Sequence, residues 1–393
     1  MNTYPSQSAA YFTTDDCDLA EFTTLTQRAT AATDAPQAAE IAENVPIYDV
    51  PSLSTVLTND SQRRDLMAEW AHILRYGAGA LVLRTAYTDT SAIDAASAIY
   101  NDIIATENAA SGKKADHFAK AGANDRIWNS LQKLCLADPQ VFARYFGNPA
   151  IEAVCEAWLG PNYQMTAQVN LVRPGGGAQQ AHRDYHLGFQ SEDLCARYPA
   201  HVHDLSPVLT LQGAIAHCDM PVVSGPTKLL PFSQTYRAGY AAYRREDFRA
   251  YFEAHCIQLP LKKGDALFFN PALFHAAGAN TSPDIQRMAN LVQVSSAMGR
   301  ALEAIDRAAM SRALYPAIVS LQADGALTPD QVRAAVASAA EGYSFPTNLD
   351  LDPPIGGLAP ETMAALFHRA LAAGLAAEQF NAELDAMLTR QKA

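Results

Sequence analysis

The chain has 393 residues, 49% of them hydrophobic and 18% charged, enough to bury a sizeable core and too apolar for a mainly disordered polymer. Its 41 acidic residues against 29 lysines and arginines leave a net charge of -12, which argues against nucleic acid or an anionic membrane surface as partner and favours a small molecule. Six scattered cysteines make no C-x-x-C pair or zinc-ribbon spacing, the first residues lack the basic and apolar regions of a signal peptide, and no apolar run spans a bilayer, so a cytoplasmic protein with free thiols is expected.

Residues 1–45 show little apolar patterning before Ala38 and read as a loose arm or a covering helix. Pro46–Val50 reads as a short strand. Asn59, Asp60 and Ser61 offer caps for a helix through Tyr76, along which Leu66, Trp70, Ile73 and Leu74 fall at helical spacing. Gly77-Ala-Gly79 ends that helix and Ala80–Arg84 follows as a buried strand. A second helix is expected over Thr90–Glu107, then a polar loop whose Lys113 and Lys114 are either solvated or placed to meet an anionic substrate. Trp128 is a candidate pocket wall, with half-buried packing as the plain alternative.

After a helix carrying Val154 and Trp158 the texture changes. Tyr163–Arg173 alternates like a strand, Pro174-Gly-Gly-Gly turns the chain, and Gln179–Phe189 (Gln-Gln-Ala-His-Arg-Asp-Tyr-His-Leu-Gly-Phe) follows. On an extended strand side chains alternate, so Gln180, His182, Asp184 and His186 are expected on one face. An imidazole and a carboxylate two positions apart supply two metal ligands, and a distant second histidine would complete a 2-His-1-carboxylate set. A His-x-Asp also arises by accident, and a strand histidine is commonly just hydrogen-bonded, so this motif needs its second half.

Pro207–His217, Val222–Leu230 and Ile257–Leu261 read as further strands, with a helical or irregular insertion over Tyr236–Ala254. Gly264-Asp265 then makes a turn, Ala266–Phe269 a buried strand, and Asn270-Pro271 a second turn that delivers His275. Arg287 lies twelve positions later, at the start of a final strand to Val294, where a returning strand brings it near that histidine. Short strands separated by Gly/Pro turns suggest a sandwich or barrel.

With these residues in place, Val45 to Ser296 resembles the phytanoyl-CoA dioxygenase-like branch of the iron(II)/2-oxoglutarate dioxygenases. The resemblance rests on His182-Arg-Asp184, the Gly264-Asp-x-x-x-Phe run before His275, the Gly278-x-Asn-x-Ser after it, and Arg287, in that order. It implies a mainly β core, a double-stranded β-helix or cupin-like jelly roll, with helical additions at both ends: an arm over 1–45, an oxygenase domain over 46–298 and a helical extension over 299–393.

Carried over by position, His182, Asp184 and His275 are implied as iron(II) ligands and Arg287 as the partner of the distal 2-oxoglutarate carboxylate. Gln180, Gln168 and Asn170 are implied as further cosubstrate contacts, dioxygen as the oxidant and ascorbate as a candidate reductant. Such a centre decarboxylates 2-oxoglutarate to succinate while oxidising a substrate C–H bond. An aspartate at 184, where related halogenases carry a small residue, implies hydroxylation, desaturation or cyclisation. Pro231-Phe-Ser-Gln234, where many members have a Pro-Gly-Ser-His turn, and Ala277, where a polar residue is frequent, depart from the family pattern and bear on cosubstrate contacts and pocket shape.

Other readings stay open. A metal-binding jelly roll without oxygenase activity, cupin-like, would draw on His201-x-His203, and His217 is a further candidate ligand. An acyl-CoA substrate would call on Lys113, Lys114, Lys262, Lys263, Arg244 and Arg245, whereas the acidic balance favours a small metabolite. The tail from Gly299 reads as helices that pack on the sandwich, cap the site or make a dimer contact. Sequence leaves the oligomeric state open.

Overall fold

A computed structural model describes residues 10–111, 124–356 and 358–392. Among these, eleven strands are formed: β1 Glu40–Ala42, β2 Val45–Asp49, β3 Ala80–Arg84, β4 Asn124–Ile127, β5 Gln164–Val172, β6 Thr210–Ala216, β7 Lys228–Leu230, β8 Ile257–Gln258, β9 Ala266–Phe269, β10 Phe274–Ala276 and β11 Arg287–Ser295. The large sheet has the order β1-β2-β3-β9-β6-β11-β5-β4 and the small one β10-β7-β8. All neighbours are antiparallel except β2 and β3.

A bridge between His182 and His275 adds the 179–184 segment to the free edge of β10. From β5 onward, successive segments therefore fall in the large, small, large, small, small, large, small and large sheet. That alternation, with β5 against β11 and the 179–184 segment against β10, is the double-wound order of a jelly roll.

Period-two patterning decides which side chains meet which layer. Along β9, Ala266 and Phe268 join the core under the helices, while Leu267 and Phe269 join the core between the sheets, where Val82, Ala289 and Leu229 also lie. On β5 the helix side takes Met165, Ala167, Val169 and Leu171, leaving Gln168 and Asn170 on the inner face. The helix-side layer of the pattern is thus mainly apolar, and the other turns polar where the cavity begins.

The helix Asp60–Tyr76 buries Leu66, Trp70, Ile73 and Leu74, and its Asn59 cap accepts from the Gln62 amide. Helices Ser130–Ala137, Pro139–Phe146 and Pro149–Leu159 share the same core. The tail is helical over Arg307–Ala323, Pro329–Ala339, Met363–Ala373 and Ala377–Arg390, and its Leu314, Val336, Phe367 and Phe380 are part of that one cluster. Within the first 45 residues, Leu19–Thr26 is a helix capped by Asp18, and its buried Phe22 sits against Tyr236, Phe248 and Phe274.

Two expectations are corrected. Gln179–Phe189 is not one strand: Tyr185 and His186 take φ of 62° and 42°, and a 3-10 turn, His186–Phe189, follows. His186 is therefore off the ligand face, its Nδ1 3.5 Å from Ser206 Oγ. Val222–Leu230 shrinks to β7, because Val222–Ser224 forms a 3-10 turn closed by Gly225 at φ 73°. Among the described residues no helix is long and apolar enough to cross a membrane, and all six cysteines are unpaired.

Candidate metal centre and its cavity

The backbone sets two histidines side by side. The His182 amide donates to the His275 carbonyl at 3.0 Å and the reverse bond is 3.2 Å, while the Asp184 amide donates to Pro271 O at 3.0 Å. The two imidazole centroids lie 4.5 Å apart. Arg183, the residue between His182 and Asp184, points the other way and is buried: its Nη2 donates to Ser233 O and Tyr236 O, and its guanidinium lies 5.2 Å from the Tyr240 ring centre and 5.3 Å from that of Phe274. Alternation about Arg183 is what turns His182 and Asp184 to a common side.

Both rings present the same nitrogen inward. His182 Nδ1 donates to Gln180 O and His275 Nδ1 to Leu273 O, each at 2.8 Å, because a carbonyl can only accept. The two Nε2 atoms are thus the ones turned to Asp184, at 3.6 Å (His182 to Oδ1) and 3.4 Å (His275 to Oδ2). The three ligand atoms all lie within 4.8 Å of one another, the one such group of His, Cys, Asp or Glu among the described residues. Ligands about 2.1 Å from an ion and at right angles stand about 3 Å apart, so the spacing suits a shared metal.

Burial, then the neighbouring His275, holds the His182 imidazole pKa down, which keeps it neutral. Burial pushes the Asp184 carboxyl up, but His182, His275 and Gln212 together outweigh it and hold the group below the usual carboxylate range. Gln212, on β6, donates from Nε2 to Asp184 Oδ2 at 2.6 Å. Two imidazoles and one ionised carboxylate are the donor types a divalent ion needs.

These groups line a cavity of about 600 Å³. Arg287, the first residue of β11, lines it too; it is 6% exposed and has no carboxylate partner among the described residues. Its Nη1 donates to Ser224 O at 3.2 Å and Gly278 O at 3.3 Å, and burial brings its pKa down to about 10, still cationic at neutral pH. Gly278 lets the 225–226 backbone pack closely here, since a Cβ there would stand 2.8 Å from Pro226 O and 2.9 Å from Gly225 Cα. Asn280 holds the loop, donating to Val172 O and Ile285 O and accepting from Ser282.

Gln168 and Asn170 also line the cavity, and Gln180 lines it as an exposed residue. Gln168 Oε1 accepts from Arg126 Nη1 at 3.2 Å and its Nε2 donates to Gln293 Oε1 at 3.3 Å. Trp128 stands on the wall with the Arg126 guanidinium 5.5 Å from its ring centre. Sequence reading missed Arg126, Gln212 and Gln293; the inward parity of β6 and β11 is the signal that finds the two glutamines.

The competing candidates fall elsewhere. His217 lies on the helix side, with Nδ1 2.8 Å from Ser97 Oγ and Nε2 2.7 Å from Tyr145 Oη. His201 is exposed, and His203 is buried with Nε2 3.3 Å from Cys195 O. Arg245 pairs with Asp247 and Lys263 with Asp94, and neither these nor Lys262 and Arg244 line the cavity. Lys113 and Lys114 lie outside the described residues. Gln234 donates to Gly77 O and packs against Gly79, away from the cavity, whereas Ala277 lines it.

The family model described as phytanoyl-CoA dioxygenase matches residues 76–289, just over half of the chain. A curated relative, "Dioxygenase andF" of Emericella variicolor, is 28% identical over 147 residues; the match covers 36% of this chain and 45% of that protein, so the chain spans under half the length of that relative. Among solved structures, the non-heme alpha ketoglutarate dependent carbocyclase SnoK from nogalamycin biosynthesis is 19% identical, with 58% of this chain and 83% of that chain covered at a TM-score of 0.43. The corresponding epimerase SnoN is 18% identical, with 61% and 84% covered at a TM-score of 0.38.

Proposed function

The chain belongs to the phytanoyl-CoA dioxygenase family, and from that premise we propose that it is an iron(II)/2-oxoglutarate-dependent oxygenase acting on a C–H bond of a small organic molecule. The observation that carries this reading is the meeting of two imidazoles and a carboxylate within 4.8 Å, in a cavity that also holds a buried arginine without a carboxylate partner among the described residues. His182, Asp184 and His275 would hold the metal, which when bound supplies the oxidising chemistry with dioxygen and 2-oxoglutarate.

The chain's own residues do the rest. Arg287 supplies a fixed, dehydrated cation whose planar fork matches the distal carboxylate of a dicarboxylic acid. Gln168 and Asn170 offer amides on the same inner face to a second ligand, and Gln180 offers one at an exposed position. The β9 residue Phe269, whose ring lies 4.8 Å from that of His275, excludes water on one flank. The absence of the Lys262/Lys263 and Arg244/Arg245 pairs from the cavity wall supports a small metabolite over an acyl-CoA. Six unpaired cysteines support a reducing, cytoplasmic setting.

The test is anaerobic visible absorption of the protein with iron(II), titrated with 2-oxoglutarate. A weak charge-transfer band present in the wild type and missing in Asp184→Ala is expected. No band from folded, iron-loaded wild type would sink the oxygenase reading and bring the non-oxygenase jelly roll forward.

A further inference from the structure

Gln212 stands where no catalytic or ligand role is assigned, yet it makes the shortest polar contact to the proposed metal ligands. It is 6% exposed, sits on β6 with Gln293 and Phe269 as its register partners, and lines the cavity. Nε2 donates to Asp184 Oδ2 at 2.6 Å. Because that nitrogen is committed to a carboxylate, the other terminal atom must be the oxygen, and Oε1 is buried with no hydrogen-bond partner. Its one side-chain hydrogen bond is therefore the one to the carboxylate.

We propose that Gln212 is a positioning residue that holds Asp184 as a one-oxygen metal ligand. A carboxylate can bind an ion through one oxygen or two. With Oδ2 held in a charge-assisted bond, Oδ1 is the oxygen left for the ion, and it is the one nearer His182 Nε2. One-oxygen binding keeps three positions open for the cosubstrate and dioxygen, where two-oxygen binding would take one of them. The proposal rests on the metal reading above.

The test uses metal alone. Anaerobic titration of the metal-free protein with cobalt(II), followed by its d–d absorption, reports affinity and coordination number together. Gln212→Met keeps the length and apolar stem but loses the donor; cobalt(II) affinity is expected to fall about 10–100-fold, the usual loss for a ligand-supporting partner, with an altered band intensity. Gln164→Met, at the far end of β5, off the cavity wall and bonded to Ser296 O and Gly299 O, is the control and should leave the affinity unchanged. Thermal melts of the metal-free proteins check folding, and Gln212→Leu replaces the methionine variant if that one melts early. Unchanged affinity and spectrum in a folded Gln212 variant overturn the proposal while leaving the metal site intact. A wild type that binds no cobalt(II) instead overturns the metal reading itself.

Discussion

At the scale of single residues, Arg287 is a cavity cation without a carboxylate partner among the described residues. Arg287 is dehydrated and bonded only to backbone carbonyls through Nη1, so its charge is uncompensated by any described carboxylate. Leaving a buried charge unpaired is costly, and a dianionic ligand recovers that loss on binding. Arg287→Ala should therefore raise the KM for 2-oxoglutarate about 30-fold or more, the effect of removing about 2 kcal/mol from a buried charged pair, with a smaller change in kcat. Arg287→Lys should fall between, because an ammonium lacks the planar fork. Succinate release at saturating iron(II) measures both, and an unchanged KM would remove Arg287 from the cosubstrate site. Arg287 and the His-Asp-His group are legible in sequence because they are rare, chemically loud residue types at motif spacing. Gln212 is not, since an amide on a buried strand looks the same whether it supports a ligand or a fold.

Among the elements, the 179–184 segment is the least regular and the most consequential. It is held by a few backbone bonds to the β10 region and by the Arg183 side chain, which plugs into the carbonyls of Ser233 and Tyr236. Gly239 makes the room: a Cβ there would stand 1.9 Å from the Arg183 Cζ. Gly239→Ala should destabilise the protein by about 2–3 kcal/mol through overpacking, and because the displaced arginine lies between His182 and Asp184, metal affinity should drop with it. Urea unfolding together with cobalt(II) titration checks both; a variant as stable and as tightly metal-binding as wild type would show that Arg183 is not the anchor. Strands such as β3 and β9 are readable from sequence because apolar runs bounded by turn residues admit one interpretation. The alternation from Gln180 to His186 predicts four residues on one face, but positive φ at Tyr185 and His186 ends the extended run, and no residue type there announces it.

For the whole molecule, the large sheet works as a partition: the candidate ligands on one side, support on the other. The support includes a buried polar network in which His217 meets Ser97 and Tyr145, and Asn290 donates to Tyr145 Oη at 3.1 Å. Burial, reinforced by Lys263 and opposed by Asp94, lowers the His217 pKa to about 3. The unfolded chain, with a histidine near 6.5, then binds the proton first as pH falls, so stability is present above about 6.5 and declines by about 1.4 kcal/mol per pH unit towards 3. His217→Phe should be less stable at neutral pH, since it removes one hydrogen bond each from Ser97 Oγ and Tyr145 Oη, but its stability should fall less steeply over that window; parallel curves would show that His217 does not titrate as its burial demands. The tail belongs to the same side. Its helices bury Leu314, Val336 and Phe367 with Phe142 and Val154 in one cluster, and Arg333 meets Glu152, a carboxyl pushed up by burial, at 2.7 Å. Removing residues 299–393 would expose that cluster and leave Glu152 with only Arg63 at 3.7 Å. We therefore expect the truncated chain to aggregate or melt far below the full-length protein, with loss of metal binding following loss of fold. A truncated protein that stays monomeric by sedimentation and binds cobalt(II) normally would instead make the tail a cap added to an independent sandwich, the alternative that sequence alone leaves open.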